Sequence, residues 1–409
     1  MSALLEPFLR RLIRKGALEV QPFDATSFSV GDGGSPSCAI RLNDRRAAWE
    51  LLRDPELAVG ELYGDGRLEL TRGGLYDLLA LGARNIVAPG GPKSLALRQA
   101  ARRLWQMLGP GIAPSRARDN ASRHYDLDAR LYRLFLDRDM QYSCALFETP
   151  EMSLDEAQLA KKRHIAAKLA LAPGQKVLDI GCGWGGMACY LAEACGVEVL
   201  GVTLSREQLD IARQRTAAAG LTGRVRFALQ DYREIEGRFD RIVSVGMFEH
   251  VGRRNYDVFF AEIARLLATD GVALIHTIGH FGPPEPTSAW LRKYIFPDGY
   301  IPALAEIAPA LARSGLAVAD LETLREHYAL TLDHWRARFQ ARRDEAQAIY
   351  DERFCRIWEY YLAASQCAFR YQGCAVLQFQ LIRSFNALPI TRDYLFRREA
   401  ELRAGGPAL

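Results

Sequence analysis

The 409-residue chain has eight cysteines, at 38, 144, 182, 189, 195, 355, 367 and 374, and no two of them form a C-x-x-C pair. That spacing suggests neither a zinc site nor a disulfide framework, so the cysteines read as reduced thiols. No apolar run approaches the ~18 residues of a membrane span. The N-terminus carries charge where a signal peptide would have its apolar centre, and a cytoplasmic protein is expected. Net charge is small, +4, too mild to name a partner. The aromatic residues are not spaced as a stacking platform, and nucleic acid is not an expected partner. What is present is an ordinary globular composition, 49% hydrophobic and 25% charged. At roughly 150 residues per domain the length suggests two or three units.

Residues 1–90 open with the basic amphipathic "LLEPFLRRLIRKG" and pass through "SFSVGDGGSPSCAIRL", whose Gly and Pro punctuation predicts a hairpin. The helical "DRRAAWELLRDPELAVGELY" follows, and a small α+β domain is expected. From Lys93 to Arg118 there are six basic residues and no acidic one. The stretch 91–120 reads as a basic linker whose middle is a helix, with Leu95, Leu97, Ala101, Leu104, Trp105 and Leu108 interleaved with Arg98, Arg102 and Arg103. Two readings stay open, a solvated charge run or a surface for anionic lipid, where each basic residue is worth roughly 1 kcal/mol. The same arithmetic applies to Arg10, Arg11, Arg14 and Lys15.

Further on, strand and helix patterns alternate through "KVLDIGCGWGG", "VEVLGVTLS", "VRFALQD", "FDRIVSVG" and "GVALIHTIG", and a late "AVLQFQLIRS" reads as a last strand. Such alternation implies a parallel doubly wound sheet with ligands beyond the carboxyl ends of its strands. Gly181, Gly183 and Gly186 satisfy G-x-G-x-x-G, but a dinucleotide site would want Asp or Glu about 20 residues later. The second strand ends instead in Thr203–Leu204–Ser205. Asp179 precedes the loop in the Asp-x-Gly-x-Gly spacing of methyltransferases, which points to S-adenosylmethionine (SAM). At the end of the third strand, Gln230, Asp231 and Tyr232 offer an acceptor for an adenine amino group and an aromatic wall. Asp231 is equally suited to cap a helix. The fourth strand runs into "SVGMFEHVG", which sets Glu249 beside His250 with no metal motif and no serine nucleophile nearby. His250 reads either as orienting Glu249 or as capping the following helix.

These fragments, with "HYDL" (124–127), "MQYSCALF" (140–147), "HTIGH" (276–280), "KYIFPDG" (293–299) and "REHYALTLDHW" (325–335), run in one order along the chain. They resemble the cyclopropane-fatty-acyl-phospholipid synthases and their mycolic acid relatives, from His124 to the end of the chain. The resemblance implies an α/β fold, a Rossmann-like class I SAM methyltransferase domain at 121–400 with a smaller N-terminal α+β domain of lipid-binding type at 1–90. It also implies the chemistry: a SAM methyl group goes to a cis double bond of a phospholipid acyl chain, and the carbocation loses a proton to bound bicarbonate, closing a cyclopropane ring. The positions that hold this anion match Cys144, Glu249, His276, Ile278 and Tyr328. His276 and the Tyr328 hydroxyl would donate, Glu249 would accept, and backbone N–H groups at Cys144 and Ile278 would complete the cradle. Tyr142, Ser143, Thr203, Leu204, Gln208, Tyr232 and Arg233 match SAM-contacting positions. Aromatic faces from Tyr142, Phe248 and Tyr328 would steady a cation by roughly 0.5–2 kcal/mol each. A homodimer lying peripherally on the inner membrane face is expected on the same ground.

One departure stands out in "YLAASQCAFR", where many relatives carry a cysteine and this chain has Ser365, with Cys367 two positions on. Two residues turn a helix by about 200°, so Cys367 should not substitute. A thiol is not required by the cation route. Three rivals stay open: a methyl- or methylene-branched product from the same cation, a methyltransferase for a small polar metabolite, and a lipid-binding scaffold whose catalytic domain is dead.

Overall fold

The computed structural model describes residues 2–86 and 127–405, which fall into two compact units. The 91–120 linker with its basic helix, and most of "HYDL", lie outside the described residues.

The first unit comprises 2–86, 285–297 and 332–374. Its four-stranded sheet has the order β2 (Phe28–Gly31), β1 (Ala17–Gln21), β3 (Cys38–Leu42), β4 (Leu68–Arg72). The expected hairpin between β2 and β3 is not formed. β2 pairs antiparallel with β1, while β3 lies on the other side of β1 and parallel to it. Burial explains the order: β3 buries Cys38, Ala39, Ile40 and Leu42 and needs an interior place, whereas β2 buries only Val30 and tolerates an edge. Leu5, Leu9, Leu51, Leu62 and Leu81 from the helices close the core over this sheet.

Two later segments are part of this unit rather than of the methyltransferase domain expected at 121–400. The indole of Trp290 lies where a Cβ on Gly60 would stand, 2.6 Å from its Cδ1, and its ring packs on Tyr360 at 4.4 Å. The Glu352–Tyr371 helix packs on the Pro55–Gly64 and Leu75–Ile86 helices, with Tyr63 donating to Glu359 at 2.8 Å. These segments bury their aromatic faces here, and that decides their membership.

The second unit comprises 127–284, 298–331 and 375–405. Its seven-stranded sheet runs β10 (Ala317–Leu324), β11 (Cys374–Ile382), β9 (Leu267–His280), β8 (Phe239–Val245), β5 (Lys176–Ile180), β6 (Glu198–Thr203), β7 (Val225–Leu229). β5 is parallel to β6 and β8, and β8 to β9; β10 and β11 are antiparallel. Ile242, Ile263, Phe259 and Ile275 fill one core cluster, and Val177, Leu191, Val243 and Leu274 fill another. Successive residues of β5, β8 and β9 thus serve opposite faces, which is why these strands read as unbroken apolar runs. From β5 the chain builds outward through β6 and β7 and then returns to β8 on the other side of β5, and the crevice beyond the carboxyl end of β5 is where a ligand of this fold sits.

Candidate active site

The loop after β5 is shaped for a ligand. Gly181 and Gly183 have φ of +79° and +53°, the left-handed region that glycine enters at least cost. A Cβ on Gly181 would stand 2.9 Å from Met247 Cβ, whereas one on Gly183 would meet nothing within 4 Å. Among the described residues the loop therefore leaves open space over Gly183. At its base Asp179 is buried, its Oδ2 has no hydrogen-bond partner among the described residues, and burial pushes its carboxyl up to about 7. A buried carboxylate wanting a donor, under an open glycine cradle, fits a ligand that carries both an ammonium and a sulfonium. Gly185 and Gly186 serve packing: a Cβ on Gly185 would lie 2.7 Å from Phe227 Cζ, and one on Gly186 would strike the Asp139 and Gln141 side chains.

The ends of β6 and β7 are tied to each other. Thr203 Oγ1 donates to Gln208 Oε1 at 2.8 Å, and Ser205 Oγ accepts from the Gln208 N–H at 3.2 Å, capping the Arg206–Ala218 helix. Leu204 lies half-buried between them. The Gln230 N–H donates to Thr203 O at 3.2 Å, and its side-chain amide donates to Glu234 O at 2.8 Å. Asp231 caps the short turn that follows, accepting from the Arg233 N–H at 3.0 Å, and its carboxylate pairs with the Arg233 guanidinium at 2.6 Å. The helix-cap reading of Asp231 is thus realised. The Tyr232 ring stands edge-on to Phe259 at 5.5 Å.

Glu249 lies on the short Phe248–His250 helix that follows β8, and His276 lies on β9 opposite Val245, the last residue of β8, its carbonyl accepting from the Gly246 N–H at 2.8 Å. Glu249 is buried; Oε1 accepts from the Ile278 N–H at 2.6 Å and Oε2 has no partner among the described residues. Burial raises its carboxyl to about 7. His276 Nδ1 faces Gln378 Nε2 at 3.0 Å, its Nε2 has no partner among the described residues, and burial holds the imidazole far below its usual value, so the ring is neutral. Desolvation also lowers His250, to about 4.

Two expectations change on this geometry, those for Ile278 and Phe248. The Ile278 N–H, assigned to an anion, is committed to Glu249, so Ile278 acts by holding the carboxylate. Phe248 offers no free face: its ring is stacked on Tyr256 at 4.5 Å and edge-on to Phe259 at 5.0 Å, inside the core. Cys144 is fully buried with Leu324, Val376 and Tyr328; its Sγ donates to Ala145 O at 3.3 Å, and burial raises the thiol so that it stays protonated. Cys367 packs against Ala80 and Ala83 in the core of the first unit.

Several residues that hold this site were not singled out in the sequence. Gln158 Nε2 donates to the carbonyls of Gln141 and Ser143 at 3.2 and 2.9 Å. Lys161 Nζ donates to Gln141 Oε1 and Ser143 Oγ, both at 2.8 Å, and burial lowers this ammonium to about 8. The Thr331 hydroxyl accepts from the Ala145 N–H at 3.0 Å. Together they clamp 141–145, where Tyr142 stands edge-on to Tyr132 at 5.1 Å. In sequence, "AQLAKKRH" looks like a solvated charged face, and no local signal marks a lysine that points inward.

A doubly wound seven-stranded sheet with an open glycine loop and a buried carboxylate beneath it defines a SAM-dependent methyltransferase of Rossmann-like, class I fold. Residues 113–379 match the family model described as mycolic acid cyclopropane synthetase, and the chain belongs to that family. It is 39% identical to the cyclopropane-fatty-acyl-phospholipid synthase of Escherichia coli over 366 residues, 89% of this chain and 93% of that protein. It is 37% identical to a tuberculostearic acid methyltransferase of Mycobacterium tuberculosis over 398 residues, 93% of this chain and 91% of that one. Among solved structures, a mycolic acid cyclopropane synthase complexed with SAH and CTAB is 37% identical, with a TM-score of 0.62 over 64% of this chain and 97% of that one. Among the described residues, no helix is long and apolar enough to cross a membrane.

Proposed function

We propose that this enzyme adds a methylene group across cis double bonds in the acyl chains of phospholipids, giving cyclopropane fatty acids. The observation that carries the reading is a pair of buried polar atoms without partners among the described residues, Glu249 Oε2 on the short Phe248–His250 helix after β8 and His276 Nε2 on the adjacent strand β9. An alkene attacks an activated methyl group without help from a base. The need for one comes afterwards. The new C–C bond leaves a cation on the neighbouring carbon, and closing the ring requires one proton to leave the added methyl, its C–H electron pair becoming the third ring bond. The net change is one CH2 gained by the lipid and one proton released.

Bound at these ends, bicarbonate would supply the base for that proton. The residues suit it: the His276 Nε2–H and the Tyr328 hydroxyl are donors for its oxygens, and Glu249 Oε2 is an acceptor for its hydroxyl. A positioned base is typically worth ~10²–10⁴ in rate. SAM would lie over Gly181 and Gly183, with Asp179, Thr203, Gln208 and Tyr232 around it. A bilayer substrate agrees with the Ser2–Leu12 helix, which exposes Leu4, Arg10 and Arg11.

The test is mass spectrometry of acyl chains after incubation with SAM and vesicles of monounsaturated phospholipid, with bicarbonate present or stripped out. The expected product is a ring-bearing chain one CH2 heavier, diminished without bicarbonate and abolished by Glu249→Ala. A branched or methylene product would sink ring closure. Turnover indifferent to bicarbonate would sink the anion, and product on free fatty acids alone would sink the phospholipid substrate.

A further inference from the structure

His276 is the near end of a buried polar chain that reaches across the sheet. Gln378, on β11 and fully buried, places Nε2 at 3.0 Å from His276 Nδ1, and its Oε1 accepts from Lys168 Nζ at 3.0 Å. Lys168 is also fully buried; it pairs with Glu322 and lies 3.6 Å from Asp320. Glu322 in turn accepts from His164 Nε2 at 2.6 Å, and His164 Nδ1 faces Glu399.

The chemistry of each link decides the next. An ammonium paired with a carboxylate has only N–H groups to offer, so the end of Gln378 that faces Lys168 is its carbonyl oxygen. Its NH2 then faces His276. An amide NH2 only donates, so Nδ1 must present its lone pair. A neutral imidazole with Nδ1 unprotonated carries its proton on Nε2. That is the nitrogen with no partner among the described residues.

We infer that Gln378, oriented by Lys168, is a positioning residue that fixes His276 as its Nε2–H tautomer, so that the ring offers the site a donor and not a base. The tautomer follows from the chain of partners alone. Its value to turnover rests on the function proposed above, in which that N–H faces an anion. Glu322 and His164 act one step further back, holding the Lys168 ammonium where Gln378 needs it.

The experiment is nitrogen NMR of the full-length protein labelled on histidine imidazoles, with the His276 signals assigned by their loss in His276→Asn. The wild type should show Nδ1 unprotonated and Nε2 protonated. Gln378→Glu nearly preserves shape but puts an acceptor oxygen at Nδ1. Lys168 donates to the new carboxylate as it did to the amide oxygen and favours its ionised form, so the proton should move to Nδ1 and turnover should fall about 10²-fold, with KM for SAM unchanged. Lys168→Met is the second variant; it frees the amide to rotate and should give both tautomers. A wild-type spectrum with Nδ1 protonated overturns the inference, as does a Gln378→Glu spectrum identical to wild type. A tautomer that moves while turnover stays constant supports the positioning and overturns the donor role of His276 in the proposed reaction.

Discussion

Glu249 is a carboxyl group whose ionised form the fold makes costly. Its value rises from 4.5 to about 7 through burial, against the opposing hydrogen bond from Ile278. Between those values the folded chain keeps a proton that the unfolded chain has released, so this group's contribution to stability falls as pH rises through the window and levels off above about 7. A shift of this size is worth on the order of 3 kcal/mol. Glu249→Gln keeps an acceptor for the Ile278 N–H and removes the titration. Urea unfolding should therefore show the variant gaining on the wild type between about pH 5 and pH 7.5; a pH-independent difference would contradict a buried, half-satisfied carboxylate. Glu249 and His276 could be singled out in sequence as candidates because each stands in a motif. Gln378 and Lys168 could not, since periodicity sends polar residues outward and only the partner across the sheet explains an inward lysine.

The Leu154–Lys168 helix shows what is lost when an element is read by pattern. Its capping box, Ser153 with Glu156, marks its start clearly, but Gln158, Lys161 and Lys168 are buried and each holds a wall of the site. Strands β5, β8 and β9 were legible for the opposite reason: both their faces are buried, and apolar runs leave little choice. The β2–β3 crossover was misread because Gly and Pro announce a turn without saying which neighbour the next strand will take. Lys161→Met tests the helix. Methionine fills a similar space, while Gln141 Oε1 and Ser143 Oγ both lose a donor, at about 1–3 kcal/mol per buried group left unsatisfied. The 141–145 segment should loosen, and calorimetry should show SAM binding weakened about tenfold or more, since each 1.4 kcal/mol is a factor of ten. Unchanged SAM affinity would mean that this clamp does not shape the cofactor site.

At the scale of the whole chain, composition shifts and Gly/Pro stretches suggested a first domain ending near residue 90, whereas the first unit also takes in 285–297 and 332–374. Composition cannot reveal such returns, because the contacts that bring a segment back are long-range. Their physical weight is specific. Tyr76, Leu79, Ala80 and Ala83 pack against Cys367 and Tyr371; a Cβ on Gly64 would lie 3.1 Å from Ile357; and Glu61 pairs with Lys293 and accepts from the Tyr294 hydroxyl at 2.9 Å. Without its late segments, residues 1–90 would keep the β1–β4 sheet but uncover the apolar sides of two helices. A domain this small buries only about 60% of its unfolded surface and is marginal before any such loss. The fragment 1–90 expressed alone should therefore lack a cooperative urea transition and associate through the uncovered helices. Linking 1–90 to 332–374 by a flexible spacer should restore a cooperative transition, because the Glu352–Tyr371 helix then regains its seat. A fragment 1–90 that unfolds cooperatively as a monomer would show that the four-stranded sheet and its own helices suffice, and would reduce the returning helix to an accessory of a domain already complete.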